Sequence, residues 1–288
     1  MSRILAIGNA TLDIINRVEY YPHEDDEVRA TDQSISRGGN ATNSLVVLSQ
    51  LGHQCSWAGV LASDCQAVTI LQDLKRYHIN CDYVVEPAEG KTPISCIFRA
   101  KSKATRTIVH YRNLREYQWQ DFNAVNVADF DWIHCEARNT SQLLLILETI
   151  KQSNQHIPIS IEVEKPRDQL EKLYPYASSL FFSKSFVINQ GFNTAYEFLT
   201  HMHQRYPKTT LCCAWSEQGA YAIGAEAKVF YAPALADINI VDTVGAGDVF
   251  NAAIIHSTLQ QSELAEALQH ACQLAGKKCS QQGFADLV

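Results

Sequence analysis

The sequence predicts an α/β fold: a mostly parallel central sheet, helices on both faces, and a small β-sheet lid. Three observations predict it. Short apolar runs alternate with longer segments of helical periodicity along most of the chain. Turn residues, glycine above all, separate them. Two stretches, residues 12–36 and 84–117, break the alternation with β-like sequence and no helix between strands. The chain has 288 residues, 46% hydrophobic and 19% charged, enough for one large α/β domain with a full core. It shows no repeat, low-complexity tract or Pro/Ser linker. We therefore expect one domain over residues 1–288, with the two β stretches forming its lid.

The elements follow in order. Residues 4–7 form a short apolar run ending at Gly8-Asn9, as a buried strand does. Gly38-Gly39 opens a helix over 40–51, closed by Gly52. A strand is expected at 56–60 and a helix at 67–77. Residues 94–100 and 105–111 are rich in β formers around a turn at 101–104, which predicts a hairpin. Further strands are expected at 132–135, 157–163, 180–182 and 210–214. Helices are expected at 141–151, 195–206, 246–259 and 264–277.

Charge and cysteine usage exclude several classes. A net charge of −7 and a pI near 5.8 argue against a nucleic-acid binder, whose affinity rests on basic surface. Nine scattered cysteines with no Cys-x-x-Cys suit neither a disulfide framework nor a zinc site. No apolar run is long enough for a membrane span or signal peptide. A cytoplasmic protein is expected. His201 and His203, two apart on a predicted helix, point in different directions and do not read as a metal pair.

The segment richest in chemistry is Asp242-Thr243-Val244-Gly245-Ala246-Gly247-Asp248, directly before an apolar helix. Backbone N–H groups and the helix dipole at such a start hold an anion. Asp248 beside them can take a proton. An anion hole next to a base is what phosphoryl transfer to a hydroxyl requires. The segment lacks the Gly-Lys-Ser/Thr of a Walker A loop and the third glycine of a dinucleotide fingerprint. Arg37-Gly38-Gly39-Asn40-Ala41-Thr42-Asn43 is the second feature: Asn40 and Asn43 share one helix face, and amides suit a polyol's hydroxyls. Asp13, after the first strand, and Asp25, in an acidic run, can each accept from two vicinal hydroxyls. Glu136 and Arg138, past a strand end, can reach a ligand. Lys277-Lys278 reads as a solvated helix end complementing the dipole.

Taken together, the early Asp13, the Gly-Gly-Asn at 38–40 and the late Asp-Thr-x-Gly-Ala-Gly-Asp at 242–248 resemble the ribokinase-like (PfkB) carbohydrate kinases, over essentially the whole chain. Residues 21–25, 37–43, 132–139, 162–167 and 272–279 narrow the likeness to the branch that phosphorylates fructose at C1. The resemblance implies a three-layer sandwich and transfer of the ATP γ-phosphoryl to a ketohexose. Asp248 would be the general base, and Gly245, Ala246 and Gly247 would present amides to the phosphoryl group. Asp13, Gly39, Asn40 and Asn43 would bind the sugar, with Asp25 assisting from the lid. Arg106 would reach the ATP phosphates. Ser216, Glu217, Gln218 and Gly219 would line the nucleotide site, with Cys279 near the adenine; Ser216 and Gln218 differ from the family's usual side chains. The family's Asn-x-x-Glu stretch falls at residues 183–186 without its Glu, a departure that the fructose branch shares. The implied cofactors are ATP and Mg2+, with K+ kept open, and Mg2+ would rest on phosphate oxygens, water, and Glu162 or Glu164. The implied partners are the sugar, ATP and a second copy paired through the lid, with no nucleic acid and no membrane. Another sugar, a nucleoside, or a non-catalytic sugar sensor are the alternatives.

Overall fold

The computed structural model describes residues 1–101 and 105–288. Its strands, in chain order, are β1 (Arg3–Ile7), β2 (Thr11–Val18), β3 (Asp32–Gly38), β4 (Gln54–Val60), β5 (Asn80–Val85), β6 (Ile94–Ala100), β7 (Thr105–Tyr111), β8 (Trp132–Glu136), β9 (Ile159–Val163), β10 (Ser179–Ser183), β11 (Thr210–Ala214), β12 (Ala220–Ile223) and β13 (Val229–Ala232). The helices are α1 (Asn40–Gln50), α2 (Cys65–Arg76), α3 (Thr140–Ser153), α4 (Lys184–Asn189), α5 (Ala195–Arg205), α6 (Ala246–Leu259) and α7 (Leu264–Cys279). The turn expected at 101–104 falls mostly on residues 102–104, outside the described residues.

Nine strands form one sheet in the order β13-β12-β11-β10-β9-β8-β1-β4-β5. From β11 to β5 all pairings are parallel, and β12 and β13 join antiparallel at one edge. Successive side chains of a strand point to opposite faces, so β1 feeds two cores at once. Ile4 and Ala6 pack with α1, α2, α6 and α7, and Leu5 and Ile7 with α3, α4 and α5. That is a three-layer sandwich, and buried apolar surface on both faces explains the near-continuous apolar runs of the parallel strands. The second sheet, in the order β3-β2-β6-β7, is built from residues 11–38 and 94–111. Residues 84–85, at the end of β5, pair in the large sheet.

Several elements depart from the sequence expectation. Helix α2 begins earlier than residue 67, because Asp64 caps it by accepting from the Ala67 N–H at 2.9 Å. Strand β9 begins at Ile159 rather than 157, since Pro158 has no N–H to give a ladder. Strands β5, β12 and β13 and helix α4 are unforeseen: β5 mixes polar and apolar residues, and the other three are too short to show a period. Among the described residues no helix is long and apolar enough to cross a membrane.

Helix α3 tests the layering. Leu143, Ile146, Leu147 and Ile150 are buried and Leu145 is exposed, an i, i+3, i+4, i+7 stripe. Leu147→Ala is expected to cost about 2–5 kcal/mol in urea unfolding. Leu145→Ala is expected to stay within about 0.5 kcal/mol. Equal costs would mean that the helix packs on a different face.

Candidate active site

Strand β1 is where the order of the large sheet reverses, with β4 on one side and β8 on the other. Crevices at the carboxyl ends of strands at such a point are where α/β sheets bind ligands. Here the segment after β1, the ends of β8 and β9, and the N-termini of α1 and α6 converge through a set of buried polar groups.

Asp248 lies in the first turn of α6 and is buried. Its Oδ2 accepts from Asn43 Nδ2 at 2.6 Å, and its carbonyl accepts from Ser44 Oγ at 3.2 Å. The other end of the Asn43 amide accepts from Arg37 Nη1 at 2.6 Å. Arg37 also donates to Thr42 Oγ1 at 3.0 Å and, through Nε, to Asp73 at 2.8 Å. A guanidinium can only donate, so Asn43 must turn its oxygen to Arg37 and its NH2 to Asp248. Burial lifts the Asp248 carboxyl to about 8; Glu136 and Glu164 add to the rise, and Asn43 and Arg37 oppose it.

Gly245, which caps α6, adopts a left-handed backbone with φ 79°, and a Cβ there would stand 2.3 Å from Phe284. The turn therefore has to be glycine for both conformation and space. At Gly247 a Cβ would meet nothing within 4 Å, so this backbone faces open room.

The N-terminus of α1 is held in a similar way. Glu136 Oε1, at the end of β8, accepts from the N–H groups of Ala41 at 2.7 Å and Asn9 at 3.0 Å. Asn40 Nδ2 donates to Glu162 Oε1 at 3.1 Å and to Glu164 Oε2 at 3.5 Å. The second Glu162 oxygen is buried and has no hydrogen-bond partner among the described residues. Burial, and then the neighbouring Asp248, Glu136 and Glu164, push the Glu162 carboxyl well above the usual carboxylate range. Asn40 and Asn43, one turn apart on α1, thus each hold one member of a carboxylate pair.

The small sheet supplies Asp13, which is buried and accepts from Thr11 Oγ1 at 2.8 Å. Its carboxylate packs on Gly38, where a Cβ would stand 2.1 Å from Oδ2. Burial raises its carboxyl, against hydrogen bonds from Thr11 and Ser95. Arg106, on β7, donates to Thr243 Oγ1 at 3.1 Å and so reaches the 242–248 segment.

The structure thus brings together Asp13, Gly39, Asn40, Asn43, Arg106 and the 245–248 turn. It does not draw in Asp25, which is exposed between β2 and β3 with φ 62°. Ser216, Glu217 and Gln218 form an exposed short turn, and Glu217 pairs with Lys184 at 3.6 Å. Gly219 has φ 85° and backs onto Ala232. Cys279 meets the 242–248 segment through its backbone: its carbonyl accepts from the N–H groups of Val241 at 2.8 Å and Asp242 at 3.1 Å. Arg138 pairs with Glu116 at 3.1 Å, and Glu136 caps α1.

Lys278 is not the solvated helix end that the sequence suggests. Lys277 is exposed, as a solvated helix end should be, but Lys278 is fully buried and donates to Asp242. No sequence signal separates these two neighbours except their place on α7, where 267, 268, 271, 274 and 278 share the buried face. Arg37 and Glu136 are the other structural surprises, and for Glu136 the nearest sequence trace is Gly8, where a Cβ would stand 2.5 Å from its Oε1.

Comparison with known proteins agrees with this geometry. The model of the pfkB family carbohydrate kinases matches residues 1–287. The chain is 40% identical over 294 aligned residues to the ketohexokinase of Mus musculus, covering 99% of both chains. It is 26% identical to the fructosamine kinase FrlD of Bacillus subtilis, over 98% of this chain and 92% of that one. The crystal structure of a ribokinase from Cryptococcus neoformans, in complex with ADP, superposes with a TM-score of 0.80 at 17% identity, covering 100% of this chain and 97% of that one. The fold is therefore ribokinase-like.

Asp248 yields a stability test. Its folded-state carboxyl is raised, so its contribution is full below the unfolded value near 4 and is lost as pH rises towards 8. Asp248→Asn can keep the bond from Asn43 and carries no charge. Relative to wild type, this variant is expected to gain stability between pH 5 and pH 8, by a few degrees in Tm at about 2–4 °C per kcal/mol. A pH-independent difference in thermal unfolding would contradict the raised carboxyl.

Proposed function

The chain belongs to the pfkB family of carbohydrate kinases, and we propose that it transfers the γ-phosphoryl of ATP to the C1 hydroxyl of a ketohexose, fructose giving fructose 1-phosphate. One observation carries the chemistry. A buried carboxyl that burial lifts to about 8 directly follows the glycine turn at 245–247 at the head of a helix, and an amide that Arg37 orients holds it. The full-length likeness to a ketohexokinase is what selects the acceptor.

In this reading Asp248 accepts the proton of the attacking hydroxyl, and the Gly245, Ala246 and Gly247 amides take the charge of the phosphoryl in flight. A base near 8 takes a proton readily at neutral pH, and it must be ionised to do so. Asp13, Gly39, Asn40 and Asn43 bind the ketose hydroxyls, with Asp25 reaching in from the small sheet when sugar is present. Arg106 meets the triphosphate. Residues 216–219 and Cys279 line the nucleotide site. The small sheet acts as a lid whose closure keeps water from the phosphoryl group.

Among the described residues no three His, Cys, Asp or Glu are grouped to hold a metal ion by themselves. Mg2+ therefore comes with the triphosphate. The buried, unpartnered Glu162 oxygen and the half-exposed Glu164 carboxylate fit it as hard oxygen donors, directly or through water. When bound, it neutralises phosphate charge. All nine cysteines are free, which suits a reducing compartment, and we place the protein in the cytoplasm.

The outer face of the small sheet suggests a second copy. Ile35, Ile14, Cys96 and Val109 form one row across all four strands. Ile35 is 55% exposed, Val109 62%, and Tyr111 on the next row 54%. An apolar face of this kind is ordinarily covered, and a twofold pairing of lids would cover it on both copies.

Two tests follow. In an ATP-coupled assay over ketoses, aldoses and nucleosides, run in K+ and in Na+ buffers, fructose is expected to have the highest kcat/KM. Phosphorus NMR should place the phosphate at C1. Asp248→Asn is expected to lower kcat by about 10²–10⁴, and wild-type kcat/KM should rise with pH and level off above about 8. Fructose binding without turnover would reject the kinase reading. By light scattering the protein is expected to be a dimer at micromolar concentration, and Val109→Glu a monomer. A wild-type monomer would reject the pairing.

A further inference from the structure

Among the described residues Lys278 is the one lysine among the largest fully buried side chains, and the proposed mechanism gives it no role. Its ammonium donates to two oxygens of one residue, Asp242 Oδ2 at 2.9 Å and the Asp242 carbonyl at 3.1 Å. Asp242 begins the segment that ends in Asp248. Its other carboxylate oxygen accepts from the Val244 N–H at 3.1 Å and from Arg99 Nη1 at 3.3 Å. Arg99 lies on β6 of the small sheet, and its second nitrogen donates to the Val241 carbonyl. Lys278 also lies over the Phe284 ring, 5.3 Å from its centroid, and that ring fills the space that a Cβ on Gly245 would take. One buried cation therefore touches both ends of the turn: its start through Asp242, and Gly245 through Phe284.

Two cations on one carboxylate are more than charge neutrality needs, since Lys278 alone balances Asp242. The second contact of each cation, to a backbone carbonyl of residue 241 or 242, fixes peptide orientation. Rotating either peptide would break a charge-assisted hydrogen bond, buried at Lys278 and part-buried at Arg99. Peptide orientation here sets where the amides of residues 245–247 point.

We propose that Lys278 and Arg99, acting through Asp242, are positioning residues for phosphoryl transfer: Lys278 holds the turn from the core, and Arg99 makes its geometry depend on the small sheet being seated. The proposal rests on the reading of residues 245–247 as the phosphoryl-binding turn. In the absence of a seated sheet the turn loses one of its two clamps, which ties phosphoryl binding to closure over the acceptor.

The test separates the clamp from simple charge balance. Lys278→Met alone leaves the buried Asp242 with Arg99, a partner only partly buried, in place of its fully buried one, and is expected to be destabilised. The double variant D242N/K278M removes both charges and keeps an oxygen for the Val244 N–H, so its unfolding midpoint should return towards wild type. Its kcat is nonetheless expected to stay about tenfold or more below wild type, with the acceptor KM changed less than about twofold, because Asp13, Asn40 and Asn43 do not touch the clamp. Calorimetry with ATP and ADP reads the turn without any acceptor. The preference for ATP over ADP is expected to fall about tenfold in the double variant, with ADP affinity unchanged. A double variant with wild-type kcat and wild-type preference would overturn the proposal.

Should the double variant fail to fold, Arg99→Gln carries the test. It leaves the Lys278–Asp242 pair intact and is expected to lower both kcat and the ATP preference several-fold; unchanged values overturn the clamp. If wild-type protein prefers ATP to ADP yet phosphorylates no ketohexose, the acceptor reading fails, and the clamp is still judged on the nucleotide preference.

Discussion

The orientation of one side-chain amide governs the site. Arg37 is buried, donates only, and is fixed by Asp73 and Thr42, so the Asn43 oxygen has a single place to go. The Asn43 NH2 is then aimed at Asp248, and that carboxylate is held at the head of α6 beside the 245–247 turn. Three elements depend on that one amide: β3 supplies the arginine, α1 the asparagine and α6 the aspartate. A buried chain of this kind is costly if any partner is lost, since each group left behind has no water to turn to. That cost keeps the three elements in register.

The same region concentrates carboxylates. Glu136 caps α1, Glu162 takes Asn40, Asp248 takes Asn43, and Glu164 stands nearby. Burying like charges together raises their proton affinity. For Asp248, burial and these neighbours lift the carboxyl to about 8; for Glu162, one oxygen has no hydrogen-bond partner among the described residues. The expense is borne by the large sheet, whose two apolar faces are buried along its parallel strands. Functional sites that gather charge at the expense of stability are an ordinary outcome in enzymes.

Much of this was legible in the chain. Asp248, the Gly245–Gly247 turn, Asn40, Asn43 and Asp13 stand out because their residue types and spacings have few other uses together. Arg106 was reached only by resemblance, and it does meet Thr243. Lys278, Arg37 and Glu136 were not legible as what they are. Lys278 looks like its neighbour Lys277 until α7 is docked and one of the two faces the core. Glu136 was expected to reach for a ligand, and instead it satisfies the N–H groups of Asn9 and Ala41, which are brought to it from a distant part of the chain. Asp25 lies on an exposed connection, a location that local sequence does not reveal.

By itself the sequence determined the alternation of strand and helix and the class of chemistry, and it singled out Asp248 as the candidate base, because these rest on local periodicity, glycine conformations and the chemistry of adjacent residues. Tertiary structure alone decided the order of the strands, which polar side chains are buried, and which donor faces which acceptor. Those depend on contacts between residues as far apart as Asn43 and Asp248, or Arg99 and Asp242. No local pattern encodes such pairings, since burial and hydrogen-bond partners come into being only when the layers pack.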